Sequence, residues 1–157
     1  MESETHRFEI ANRQRRARLR RNEIRALLRR ILEGEGEPGG VSVVFVGPRT
    51  MTTLNRRWRG EDRPTDVLSF PAGPSPPGLD FAGTPLGEIV VCVPVCGESA
   101  ARRGVPLHAE IARMLIHGTL HLLGHDHGSP EERRRMQPRE RRYREWVRRS
   151  GLQVSEP

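Results

Sequence analysis

An α+β domain, or a mixed-sheet α/β layer, is what the sequence predicts: a small central mixed β-sheet packed with helices. Three observations carry this expectation. Residues 41–46, 66–70 and 86–93 are short apolar runs rich in Val, Ile and Leu, the pattern of strands. Residues 22–32, 50–59 and 107–123 repeat their apolar side chains every three or four positions, as amphipathic helices do. Both kinds of segment occur within 157 residues, enough for one core and too few for two ordinary domains.

Taken in order, residues 6–11 can form a first short strand, and Asn22 is a fitting N-cap for a helix whose Ile24, Leu27, Leu28, Ile31 and Leu32 share one face. Arg21, Arg25 and Arg29 recur every four residues beside that face, either as a solvated helix edge or as a phosphate-facing stripe. The Gly- and Glu-rich stretch 34–40 ends the helix, and 41–46 reads as a buried strand. Residues 50–59 form a helix with Met51, Leu54 and Trp58 on one side. A strand at 66–70 precedes the Pro- and Gly-rich loop 71–85, whose composition cannot pack, and 86–93 is the most apolar strand. Helices are expected at 94–103, 107–123 and 130–149, with Pro138 kinking or splitting the last.

The apolar fraction of 34% and aromatic fraction of 4% imply a modest aliphatic core. No segment approaches the roughly 18 apolar residues of a membrane span, and residues 1–21 hold no uninterrupted apolar run, so a soluble, unexported, cytoplasmic protein is expected. Cys92 and Cys96 have neither the C-x-x-C redox spacing nor a secreted disulfide pattern, and read as small buried hydrophobes. The formal charge of +7 and pI near 11.1 favour polyanionic partners, because each cation that meets a phosphate releases a counterion. All 27 basic residues are Arg, a skew that a GC-rich genome also produces.

The chemistry concentrates in His117-Gly118-Thr119-Leu120-His121-Leu122-Leu123-Gly124-His125-Asp126-His127. Residues four apart on a helix stand on one face, so His117 and His121 can offer imidazole nitrogens to one ion at about 2 Å. Gly124 suits a left-handed turn that brings His127 back as a third ligand. Three protein ligands leave a fourth position for water, the arrangement of a catalytic zinc. The spacing is that of the metzincin motif H-E-x-x-H-x-x-G-x-x-H, with Gly118 where the protease has its general base. Asp126 can orient a ligating imidazole or cap the turn, and His125 is not read as a ligand. A second stretch, 54–60 followed by 63–71, combines Arg56, Arg57 and Arg59 with Trp58, residue types that bind phosphates and stack on unpaired bases, although on spacing alone a helix end with three arginines and a packed Trp is the better reading.

Together these segments resemble the bacterial endoribonuclease family called YbeY or UPF0054. The metal motif resembles the family's H-G-x-L-H-L-x-G-Y-D-H; residues 54–71 resemble its L-N-x-x-Y-R-G-x-D-x-P-T-D-V-L-S-F-P block; Leu86-Gly87-Glu88-Ile89 resembles its L-G-D/E-I strand. The likeness covers residues 7–149, read as one domain with flexible termini at 1–6 and 150–157. His125 stands for a usual Tyr, and Trp58 for a Tyr or Phe. The resemblance implies a zincin-like fold, one zinc per chain held by His117, His121 and His127, and a catalytic role for Arg59. It also implies single-strand-specific cleavage of RNA in ribosomal RNA maturation, at the 16S 3′ end and in ribosome quality control, with ribosomal particles as partners and no membrane.

A three-His zinc can activate water and polarise a phosphoryl oxygen, which makes the missing Glu less important. Arg59 would stabilise charge developing on phosphate oxygens. The general base stays open between metal-bound hydroxide, Asp126 and the RNA 2′-hydroxyl as internal nucleophile, and three imidazoles would also accept Ni, Cu or Co. Two alternatives use the same residues. Gly118 counts against a zinc metallopeptidase, and the open fourth coordination position against a non-catalytic zinc-containing ribosome assembly factor.

Overall fold

A computed structural model describes residues 6–72, 86–125 and 128–157. Its strands are β1 (Phe8–Asn12), β2 (Val41–Val46), β3 (Val67–Pro71) and β4 (Gly87–Cys92). Its helices are α1 (Arg21–Gly34), α2 (Pro48–Arg59), α3 (Val93–Arg103), α4 (Leu107–Leu122) and α5 (Pro130–Ser150). The fold is α+β with a four-stranded mixed sheet in the order β1-β2-β4-β3. β1, β2 and β4 run parallel, and β3 lies antiparallel on β4. Most of the expected loop 71–85 lies outside the described residues.

β2 and β4 are buried along their whole length, as parallel strands covered on both faces are. Their alternate residues serve two cores. Val41, Val43, Phe45, Ile89 and Val91 pack with α1, α4 and α5; Val44, Val46, Val90 and Cys92 pack with Met51 and Leu54 of α2 and Leu68 of β3. On α1 the five predicted apolar residues are all fully buried, worth up to about 2 kcal/mol each. Cys92 and Cys96 are buried free thiols, and burial pushes both pKa values up.

Three details of the chain differ from expectation. Asn22 is not the N-cap: the cap lies two residues earlier, at Arg20, whose side chain makes no cap bond. The Arg20 amide instead donates to Val154 O at 2.8 Å, and Leu19 bridges Ser155. Residues 150–157, read as a flexible tail, thus hold the entrance of α1, with Val154 fully buried. Pro138 does not split α5, which runs as one helix of 21 residues. Pro138 is exposed, so solvent can take the carbonyl it leaves unbonded, and Met136 and Tyr143 anchor the helix on either side.

Two arginines of the α1 stripe reach β1, while Arg25 donates to Asn22 Oδ1 on its own helix. Arg21 donates to the carbonyl of Ile10, and the Arg29 guanidinium sits over the Phe8 ring at 5.9 Å. No helix among the described residues is long and apolar enough to cross a membrane.

Beyond the end of α1, Glu35 joins three parts of the chain. Its carboxylate accepts from Tyr143 and from Arg139 Nη1 at 2.7 Å, both on α5, and faces His125 Nε2 at 3.1 Å in the turn after α4. Gly34 makes room for this, because a Cβ there would stand 2.3 Å from the Tyr143 hydroxyl. Burial alone would raise the Glu35 pKa, but the Tyr143 hydroxyl, the Arg139 charge and His125 outweigh it and hold it below the ordinary 4.5. A carboxyl whose pKa is lowered by folding contributes stability that is fully present above its unfolded pKa and is lost as pH falls through the folded one. Glu35→Gln should therefore destabilise the protein at neutral pH by roughly 1–3 kcal/mol, with the gap to wild type narrowing on acidification below pH 4.5. Denaturation measured from about pH 3 to pH 7 checks this; a gap that persists unchanged into acid would contradict it.

Candidate metal centre

α4 is the central helix. Its buried residues include Ile111, Ala112, Leu115, Ile116, Thr119 and Leu120, which leaves a narrow half-exposed stripe of Arg113, His117 and His121, each four residues from the next. The rings of His117 and His121 lie nearly parallel, 18° apart in plane with centroids 6.3 Å apart.

Gly118 faces the other way, into the sheet. A Cβ there would lie 3.0 Å from Ile89 Cγ2 and 3.1 Å from Ser69 Oγ, and Ser69 Oγ donates to the Gly118 carbonyl at 3.3 Å. A side chain at the position of the peptidase Glu would thus crowd β3 and β4, because the helix backbone lies close against them.

α4 ends as the sequence predicts. Gly124 has φ +91°, its amide donates to His121 O at 3.0 Å, and the His125 amide donates to Leu120 O at 3.1 Å. His125 turns its ring to Glu35. Asp126 and His127 lie outside the described residues. Among the described residues no trio of His, Cys, Asp or Glu gathers as an ion site. What the structure brings together is the His117 and His121 pair.

That pair opens on a cleft of about 370 Å³ whose other walls are Arg59, Thr65, Asp66, Val67, Leu68 and Ser69. Arg59 is the last residue of α2, ended by Gly60 at φ +70°. The next turn is pinned by Asn55 Nδ2, which donates to Arg63 O at 2.8 Å, and by ion pairs of Arg56 with Asp62 and Arg63 with Glu61. Arg59, by contrast, forms no ion pair with a carboxylate among the described residues, so its charge is available to the cleft. Trp58 does not pack beside Met51 and Leu54 as expected. It is 49% exposed and meets Phe70 of the edge strand β3 edge-on, with centroids 5.6 Å apart, because the sheet ends beneath it.

Several residues of the site were not found by sequence reasoning. Thr65, Asp66 and Ser69 fall in the segment 63–71 that carries part of the family resemblance, but none of them was singled out as a site residue. The Asp66 carboxylate accepts from the Val67 amide at 2.8 Å and from the Thr65 hydroxyl at 3.4 Å, which fixes it in the cleft wall. Glu140 of α5 places Oε2 3.2 Å from His117 Nδ1. Burial would raise the Glu140 pKa, but His117, through its hydrogen bond and charge, together with Arg144 and Arg113 lowers it below the ordinary carboxylate value. The one available signal was the spacing Met136, Glu140, Tyr143, which puts Glu140 on the face of α5 that carries its buried anchors.

The donor set fits a borderline-soft divalent ion. Two imidazoles four residues apart on one helix face, with rings nearly parallel, are the arrangement in which a helix offers nitrogens to a single ion. His117 has its Nδ1 occupied by a carboxylate, the usual environment of a ligating histidine.

A family model described as Endoribonuclease YbeY matches residues 9–147. The chain belongs to the endoribonuclease YbeY family. An endoribonuclease YbeY of Halorhodospira halophila is 45% identical over 120 residues, spanning 76% of this chain and 77% of the relative. That of Allorhizobium ampelinum is 37% identical over 147 residues, spanning 86% and 84%. The solution structure of TM1509 from Thermotoga maritima is similar in fold, with a TM-score of 0.63 at 28% identity over 90% of this chain and 89% of that one. In this YbeY chain, a Glu at position 118 would be forced between helix and sheet. Gly118→Glu should lower stability by about 3–5 kcal/mol, as a buried unpaired charge does, without creating a peptidase. Thermal melting and a casein assay check both; a variant that melts with wild type would contradict the close packing.

Proposed function

We propose that this chain is a zinc-dependent, single-strand-specific endoribonuclease that acts in ribosomal RNA maturation, with one zinc held by His117, His121 and His127. In the same reading the fold is zincin-like, the substrate comes in ribosomal particles, and the protein works in the cytoplasm. The observation that carries this is the meeting, in one cleft, of two imidazoles from α4 with Arg59 from α2. Membership of the YbeY family supports the choice of RNA over other phosphodiesters, and the formal charge of +7 agrees with it.

Bound there, zinc would supply an acidified water and a Lewis acid for the phosphoryl oxygen. The chain's own residues do the rest. Arg59 offers a planar fork to the non-bridging oxygens, where charge rises during displacement. The Thr65 and Ser69 hydroxyls line the wall of the same cleft and can donate to phosphate or ribose oxygens. Asp66, with one carboxylate oxygen engaged by the Val67 amide, can accept from a ribose hydroxyl. Trp58, exposed beside the cleft strand, offers a face on which an unpaired base can stack. Gly118, packed against the sheet, gives the peptidase reading no general base.

The test is cleavage of labelled single-stranded RNA and of casein, in parallel, by metal-replete protein. RNA alone should be cut, and the protein should hold about one zinc per chain, lost in His121→Ala. Arg59→Ala should lower single-turnover cleavage about 100-fold or more with zinc content unchanged, and Arg59→Lys should recover part of that. Wild-type cleavage rates in Arg59→Ala, or activity that survives exhaustive chelation, would overturn the reading.

A further inference from the structure

α5 supplies no residue to the lining of the cleft, yet one of its carboxylates reaches a histidine of the site from behind. Glu140 Oε2 stands 3.2 Å from His117 Nδ1, across 23 residues of sequence, with the two side chains 19% and 26% exposed. We propose that Glu140 is the positioning residue that holds His117 in the tautomer protonated at Nδ1, so that Nε2 is the nitrogen turned to the metal. The proposal rests on the metal reading of the site.

The argument is one of donors and acceptors. A neutral imidazole carries one N–H and one lone pair, and an ionised carboxylate can only accept. A hydrogen bond between them therefore puts the proton on Nδ1 and the lone pair on Nε2. The hydrogen bond also restrains the ring against turning about its χ2 bond. Helix geometry sets where His117 and His121 stand; it does not choose which nitrogen faces the ion.

Glu140 is built to be rigid. It lies between Met136 and Tyr143, at i−4 and i+3 on the same face of α5, and both are 1% exposed. Tyr143 and the adjacent Arg139 are both fastened to Glu35, which also holds His125 in the turn after α4. The carboxylate that orients the first histidine of the motif is thus anchored through the same side chains that hold the start of the turn toward the last.

The experiment uses the full chain and zinc alone as probe. Zinc affinity is measured by competition with a chromophoric chelator for wild type, Glu140→Ala and Glu140→Gln. In the metal-free proteins the His117 tautomer is read from long-range 1H–15N correlations at mildly alkaline pH. Wild type should show the Nδ1–H form. Glu140→Ala should bind zinc about 10–100-fold more weakly and shift His117 toward the Nε2–H form common in free histidine. Glu140→Gln, whose amide oxygen still accepts from Nδ1–H, should keep the tautomer and lose less affinity than Glu140→Ala; a role in packing alone would not move the tautomer. An Nε2–H wild type, or wild-type affinity in Glu140→Ala, overturns the assignment of Glu140 and leaves the metal reading standing. Wild-type protein that binds no zinc overturns the metal reading and this one with it. If Glu140→Ala fails to fold, the wild-type tautomer and the Glu140→Gln affinity decide: an Nδ1–H wild type with weakened binding in the variant supports the assignment, and any other result overturns it.

Discussion

The close approach of α4 to the sheet at Gly118 is the constraint on which the rest of the site depends. Without a side chain at that position the helix lies directly on Ile89 and Ser69, and Ile111, Leu115, Ile116 and Leu120 are fully or almost fully buried along its length. At roughly 2 kcal/mol for each such side chain, this packing outweighs the approximately 1 kcal/mol that a mid-helix glycine costs. The outcome is a rigid platform with only one face left to solvent. His117 and His121 occupy that face, and the same contact brings them beside β3, whose preceding turn leads back to Arg59.

The cleft is assembled from parts distant in sequence and close in purpose. α2 ends at its rim, so that Arg59 projects just before Gly60 reverses the chain. β3 forms the floor, its Leu68 turned to the smaller core and its Ser69 to α4. α5 buttresses the histidine helix from outside with Glu140, while Glu35 ties α1, α5 and the turn at His125 into one cluster. Each functional side chain thus projects from an element whose opposite face is packed, which keeps the cost of ordering the site low once the fold has formed.

Much of this was legible from local pattern. The bounds of β2, the buried face of α1, the i to i+4 histidine pair and the left-handed Gly124 each follow from a periodicity or a backbone preference confined to a few neighbouring residues. What was not legible depends on partners far along the chain. Nothing near Glu35 or Glu140 announces contacts 90 and 23 residues away. Asn22 is a good cap by type, but the tail around Val154 fixes where α1 begins. Trp58 follows the helical period of Met51 and Leu54, yet only the strand order reveals that the sheet has ended by that point. His127, as a third ligand, rests on the motif and the direction of the Gly124 turn.

The contact between Arg21 and Ile10 has a bearing on how copies of this chain behave toward one another. β1 is an edge strand of a largely parallel sheet, and such an edge can template the addition of a foreign strand, the first step toward aggregation. Here the carbonyl of Ile10 receives a guanidinium and the ring of Phe8 lies under another. An incoming strand would have to displace the Arg21 guanidinium from that carbonyl. The arginines that flank β1 thus help keep this edge of the sheet from pairing with a second copy, a role for positive charge apart from any polyanion.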